Sequence, residues 1–257
     1  MIIIVAACNW CIFGIRDVVT FAYLIIGLLK ISLLSKLQSM KSTSNNNQKS
    51  LSIAEPSGKL EGLLEQPAQT TPTTHNTLAI ICHPHPLHGG TMNNKVVTTL
   101  VRACQQLGAV TIRFNFRGVG KSEGHYDQGL GEQADLQAVI AWAQARYPGY
   151  RLWLAGFSFG SYIAASVASK LAVDQLITIA PPVHHFDFEH LARISCPWVV
   201  AQGEADEVVP SEQVFAWLAT RPEPIDIIRM PNVGHFFHGQ LIELREALIA
   251  ELTSLNF

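Results

Sequence analysis

From Thr77 onward, short apolar runs alternate with segments whose apolar residues recur at helical spacing. Thr77–Cys82, Ala109–Phe116, Leu152–Ala155, Gln175–Ala180, Trp198–Ala201 and Ile225–Arg229 read as strands. Lys95–Leu107 places Val96, Val97, Leu100, Val101 and Cys104 on one helical face. Gly131–Arg146, Phe159–Leu171, Ser211–Ala219 and Leu241–Leu252 also read as helices, and Pro148-Gly149 stops the first of them. Near-continuous apolar strands alternating with helices predict an α/β fold: a mostly parallel central sheet with helices on both faces. Ahead of it, Leu51–Ala54 and Leu60–Glu65 flank the turn signal Pro56-Ser57-Gly58, which predicts a hairpin. Gln66–Asn76 is rich in Pro and Thr and reads as a loop, and no internal repeat is visible.

The same pattern divides the chain into an apolar N-terminal segment (1–39), a polar low-complexity linker (40–50) and an α/β domain (51–257). Two expectations stand side by side for the first segment. In one, residues 18–34 form a membrane anchor near the lower length limit for a spanning helix. Lys36, Lys41 and Lys49 follow it, which would leave the domain in the cytoplasm. In the other, Met40 is the true start and the upstream residues are an over-extended reading frame. Both place the domain in the cytoplasm. The segment lacks the basic start and small-residue cleavage site of a secretory signal.

Composition narrows the classes. Hydrophobic residues make up 48% and charged residues 15%, enough apolar content for a sizeable core. Eighteen Lys and Arg against 20 Asp and Glu leave a formal net charge of −2, so no basic footprint for a nucleic acid exists. Among the five cysteines, Cys82, Cys104 and Cys196 are scattered through apolar stretches and read as buried thiols in a reducing compartment. Cys8 and Cys11 form a C-x-x-C pair, but lack the βαβ setting of a redox motif.

The central chemical signal is Gly156-Phe157-Ser158-Phe159-Gly160, a G-x-S-x-G between a strand and a helix rich in small residues. A nucleophile elbow needs this setting: the serine stands on a strained turn and the glycines permit close backbone approach. The competing reading is a tight turn in which Ser158 caps the next helix. A serine hydroxyl needs a base, and the base an orienting acid, in the chain order Ser, Asp or Glu, His. Asp206 is the expected acid, in Gln202–Pro210 after the strand Trp198–Ala201, with Glu204 second. His235 is the expected base, after the last strand, with His238 as competitor. His184, His185 and His190 precede the acid and fit the order badly. The oxyanion hole is expected from the backbone N–H of Phe159 and of His85, since Pro84 and Pro86 in the same loop have none.

His83, His85 and His88 could alternatively form a zinc site. Asn115–Ser122 ends like a P-loop but lacks its first glycine, so the loop Arg117–Gly124 is expected to shape one wall of the active site. Phe157, Phe159, Phe236 and Phe237 read either as apolar walls around the nucleophile or as core.

Taken together, IAEPSGKLEGLLE, HPHPLHGGTMNNKVV, FNFRGVGKSEG, LAGFSFG, GEADEVVP and VGHFFHG resemble the α/β-hydrolase superfamily over nearly all of residues 51–257. Within it they are similar to a group of short bacterial serine hydrolases of undefined substrate. The resemblance implies hydrolysis of a small-molecule acyl substrate through an acyl-serine, with no metal or organic cofactor. Esters or thioesters are the expected substrates. An aminopeptidase-like amide hydrolase and a catalytically silent binding protein are the alternatives. The chain between Ala180 and Pro197 is too short for a large lid domain, so an open site is expected.

Overall fold

The structure, a computed structural model, describes residues 48–67 and 76–255. The expected anchor or over-extended start, and most of the linker, lie outside the described residues. Strand β1 begins at Gln48, so the folded part starts three residues earlier than Leu51. In those three residues the polar side chains remain exposed while the backbone pairs with β2, and side-chain pattern alone does not register such pairing.

Eight strands form one sheet in the order β1-β2-β4-β3-β5-β6-β7-β8. They span Gln48–Glu55 (β1), Gly58–Glu65 (β2), Thr77–Cys82 (β3), Val110–Phe114 (β4), Arg151–Phe157 (β5), Gln175–Ile179 (β6), Trp198–Gly203 (β7) and Ile225–Met230 (β8). The β1–β2 hairpin adds antiparallel to β4, and all other pairings are parallel. Among the described residues, four α-helices connect strands, α1 Lys95–Gln106, α2 Leu130–Arg146, α3 Phe159–Ala168 and α4 Ser211–Leu218, and α5 Leu241–Ser254 follows β8.

Strand side chains alternate between two faces, and each face builds its own core. Leu78, Ile80, Leu152, Leu154, Leu176, Trp198 and Val200 pack beneath α2, α3 and α4. Ala79, Ile81, Trp153, Ala155, Ile177, Val199 and Ala201 pack beneath α1 and α5. Burial on both sides explains why these strands read as unbroken apolar runs rather than alternating ones. Because β3, β5, β6, β7 and β8 run parallel, their carboxyl ends share one edge of the sheet. Functional groups of doubly wound folds gather at that edge. No helix interrupts the chain between β6 and β7. Among the described residues, no helix is long and apolar enough to cross a membrane.

Candidate active site

The elbow is built by backbone crowding. Ser158 follows β5 directly with φ 53° and ψ −119°, and α3 begins at the next residue. A positive φ at a residue with a Cβ costs on the order of 1–3 kcal/mol and persists only where the surroundings enforce it. Here Ser158 N–H donates to Ile179 O at 2.8 Å, and Ser161 N–H donates to Ser158 O at 2.8 Å. The Ser161 hydroxyl lies 2.9 Å from Gly156 O and 2.8 Å from Ile179 O, tying the turn to β6. Both motif glycines are required by contact. A Cβ on Gly156 would stand 2.1 Å from Gly160 O, and one on Gly160 would stand 2.5 Å from Cys82 O.

His235 and Asp206 reach Ser158 from the ends of β8 and β7. His235 Nε2 lies 3.2 Å from Ser158 Oγ, and His235 Nδ1 lies 2.8 Å from Asp206 Oδ2. Asp206 Oδ1 accepts from the N–H of Val208 at 2.9 Å and of Val209 at 2.7 Å. With the carboxylate as acceptor, His235 carries its proton on Nδ1 and offers the Nε2 lone pair to the serine. All three residues are buried, with Ser158 the most exposed at 9%. Burial pushes the Asp206 carboxyl up, but the hydrogen bonds from His235 and the two backbone N–H groups outweigh it and hold the acid below its ordinary value.

The loop after β3 passes beside the elbow. The His85 ring lies 5.1 Å from that of Phe159. Neither the His85 nor the Phe159 backbone N–H donates to a described residue. The Phe159 N–H lies at the N-terminus of α3, the end of the helix that favours negative charge.

A model of the α/β-hydrolase fold matches residues 87–198. An uncharacterised protein of Rickettsia prowazekii is 38% identical over 203 residues, which covers 75% of this chain and 84% of that protein. A structure described as an alpha-beta serine hydrolase homologue from Coxiella burnetii is 50% identical and superimposes with a TM-score of 0.76, covering 79% of this chain and 97% of that one. This chain belongs to the α/β-hydrolase family. A Xanthomonas campestris member described as a serine hydrolase without lid is 42% identical, with a TM-score of 0.79 over 82% of this chain and 95% of its own. The short helix-free connection between β6 and β7 agrees with that lidless form.

Within this α/β-hydrolase, His184 packs on His185 at 4.0 Å and lies near enough to interact electrostatically with Asp206 and His235, while other competing residues make separate contacts. Glu204, the second choice for the acid, pairs with Arg229 at 3.0 Å on the surface. His238 is exposed, its ring 5.8 Å from Phe236. His190 pairs with Asp187 at 2.7 Å, and both are exposed. His83 is spent on structure: Phe116 N–H donates to its Nε2 at 3.0 Å, while its Nδ1 lies 2.6 Å from Pro84 O. Both ring nitrogens are engaged, so His83 pins the loop after β3 to the chain just after β4 instead of presenting a metal ligand. Phe157, Phe159 and Phe237 are core, and only Phe236 is exposed, at 42%. The loop Arg117–Gly124, expected as one wall of the site, is tied to the β1–β2 hairpin. Glu61 accepts from Asn115 and Lys121, and Glu123 accepts from Lys59 N–H, which holds that loop on the hairpin. Tyr126, beyond it, is the residue that reaches His85, at 3.2 Å.

Sequence reasoning missed two supporting groups. Gln202 Nε2 donates to Asp206 Oδ2 at 3.1 Å, and Glu207 Oε2 accepts the His235 N–H at 3.1 Å. A glutamine near the end of the buried strand WVVAQG was the available signal for the first. Glu207 is an exposed loop carboxylate, and nothing in its sequence neighbourhood marks it.

Proposed function

We propose that this α/β-hydrolase cleaves carboxylic esters or thioesters through an acyl-serine intermediate. The hydrogen-bonded line from Asp206 through His235 to Ser158 carries this reading. His235 Nε2 takes the proton as Ser158 Oγ bonds to the substrate carbonyl carbon. The resulting oxyanion is received by the N–H groups of Phe159 and His85. His235 then gives the proton to the leaving oxygen or sulfur as its bond to carbon breaks. Water, deprotonated by the same imidazole, repeats the sequence and releases the acid. A silent binding protein would have no use for a strained, buried serine facing an oriented imidazole.

Labelling of the full chain with a fluorophosphonate probe tests the reading, beside its Ser158→Ala variant. The expected result is labelling of the wild type alone, followed by turnover on an ester and thioester panel. A folded wild type that takes no label would return the chain to the binding-protein reading. Turnover of aminoacyl amides in preference to esters would favour the amide hydrolase.

A further inference from the structure

The His85 N–H, proposed above as an oxyanion donor, belongs to the peptide unit whose carbonyl is Pro84 O. In a planar trans peptide the two groups point opposite ways, so a grip on one aims the other. His83 supplies that grip. Phe116 N–H donates to its Nε2 at 3.0 Å, so its hydrogen is on Nδ1 and goes to Pro84 O at 2.6 Å. Gly90 closes the loop from the far side. Its N–H donates to His85 O at 3.0 Å, and a Cβ there would collide with Pro84 O.

The His85 side chain holds the other end of that peptide unit, at its Cα. Leu87 N–H donates to His85 Nδ1 at 3.2 Å, so the ring folds over its own loop and carries its hydrogen on Nε2. Burial, with His88 and His185 close by, holds the imidazole below its ordinary value, and at pH 7 it is neutral, as that bond requires. Nε2–H then donates to Tyr126 Oη at 3.2 Å. Among the described residues, this is the one hydrogen bond from the His85 side chain to another segment of the chain. Tyr126 is itself anchored. It precedes Asp127, whose N–H donates at 2.9 Å to Glu132, a fully buried residue in the first turn of α2. The Tyr126 ring lies 5.0 Å from that of His85, and burial pushes its hydroxyl up, which keeps it protonated.

Deepening the proposed acyl transfer and resting on it, we infer that Tyr126 is a positioning residue for the oxyanion hole, holding the His85 N–H in place through the His85 ring. Tyr126 touches no reacting atom in this scheme. A donor held ready for charge that develops only in the transition state contributes there and adds little to ground-state binding. The tether therefore acts on kcat and on the affinity for tetrahedral adducts, and hardly on KM. It also gives a use to a half-buried tyrosine hydroxyl that the triad leaves idle.

Tyr126→Phe removes the hydroxyl and keeps the ring. With an ethyl ester as substrate, the expected result is a kcat lower by about tenfold to 100-fold and a KM changed by less than about twofold. Butylboronic acid, whose adduct with Ser158 is tetrahedral at boron, should bind more weakly by the same factor as kcat falls. His85→Leu keeps the backbone N–H and removes the ring, so it should lose as much, and the double variant should lose no more than His85→Leu alone. An unchanged kcat in folded Tyr126→Phe overturns the tether and leaves the serine hydrolase standing. So does a loss confined to KM, or losses that multiply in the double variant, since either puts Tyr126 on the substrate instead of on His85. Absence of both fluorophosphonate labelling and ester turnover in the wild type overturns the hydrolase reading, and the tether falls with it. Should the variants fail to fold, the nitrogen-15 shifts of neutral His85 in the wild type decide: hydrogen on Nε2 supports the tether, and hydrogen on Nδ1 overturns it.

Discussion

The Asp206 carboxylate has every near acceptor direction filled, by His235 Nδ1–H, by two backbone N–H groups and by Gln202. It can therefore hold the imidazole in one tautomer without moving. Asp206→Asn keeps the shape but reverses what His235 is offered, so kcat should fall about 10⁴-fold while the protein stays folded. Circular dichroism beside ester kinetics checks both parts. Glu207 acts one step further out, through the His235 backbone. A small displacement of a catalytic group can cost roughly 100-fold, so Glu207→Ala should lower kcat more than it raises KM, with the melting temperature little changed. His83 makes a prediction about pH. Burial holds its imidazole down at about 4, from 6.5. As pH falls between those values, the unfolded chain takes up a proton that the folded chain does not. Stability is then lost, by up to about 3 kcal/mol. Urea midpoints at pH 7 and pH 4.5 should show the drop, and His83→Gln should reduce its size. Asp206 moves the same way in a lower window: it is held below its ordinary value, so its contribution disappears only below about pH 4.

At the scale of elements, the elbow depends on α3 starting within contact of the loop after β3. A Cβ on Gly160 would stand 2.5 Å from Cys82 O and 2.7 Å from His83 O, and both are backbone atoms that cannot swing away. Gly160→Ala should therefore push the helix start from the loop after β3, losing about 100-fold or more in kcat and about 1–3 kcal/mol of stability. Kinetics and thermal melting on the same preparation check it. The sequence made this element legible because G-x-S-x-G states a backbone requirement in residue types. Strand and helix positions were legible for a related reason, as burial on both sheet faces leaves unbroken apolar runs. Their ends were less so. β5 continues to Phe157 and β7 to Gly203, past the residues where the apolar pattern stops, because glycines and Gln202 sit in the sheet without an apolar side chain to announce them. Ser158, Asp206 and His235 could be singled out, since chain order and strand ends restrict the choice. The groups that hold them could not, because Gln202, Glu207 and Ser161 act across distances in sequence that no local motif spans.

For the molecule as a whole, the β1–β2 hairpin joins the parallel sheet by antiparallel pairing with β4, and Arg117 sits at that joint. Its guanidinium donates to Asp135 Oδ1 at 3.0 and 2.6 Å and reaches Glu55 of β1 at 3.4 Å, while its backbone N–H donates to Asp135 Oδ2 at 2.9 Å. One cluster thus connects the hairpin, the loop after β4 and helix α2. The Asp135 side chain is fully buried. Burial pushes its carboxyl up, and the hydrogen bonds from Arg117 pull it back without restoring the ordinary value. Desolvation and attraction nearly cancel in such a pair, so its contribution is orientation more than net stability. The two kinds of substitution should then part company. Asp135→Ala leaves a largely desolvated guanidinium with the longer Glu55 contact as its ion pair, and should cost about 3–5 kcal/mol. In a Glu55→Gln background, which removes the third buried charge, Arg117→Met with Asp135→Leu removes the other two and fills similar volume, and should be far less destabilising than the single change. Urea unfolding of the two singles and the double, read as a cycle, gives the coupling directly. If the double variant loses as much as the sum of the singles, the pair contributes no orientation, and the hairpin must be held to the sheet by its β2–β4 pairing and its apolar face alone.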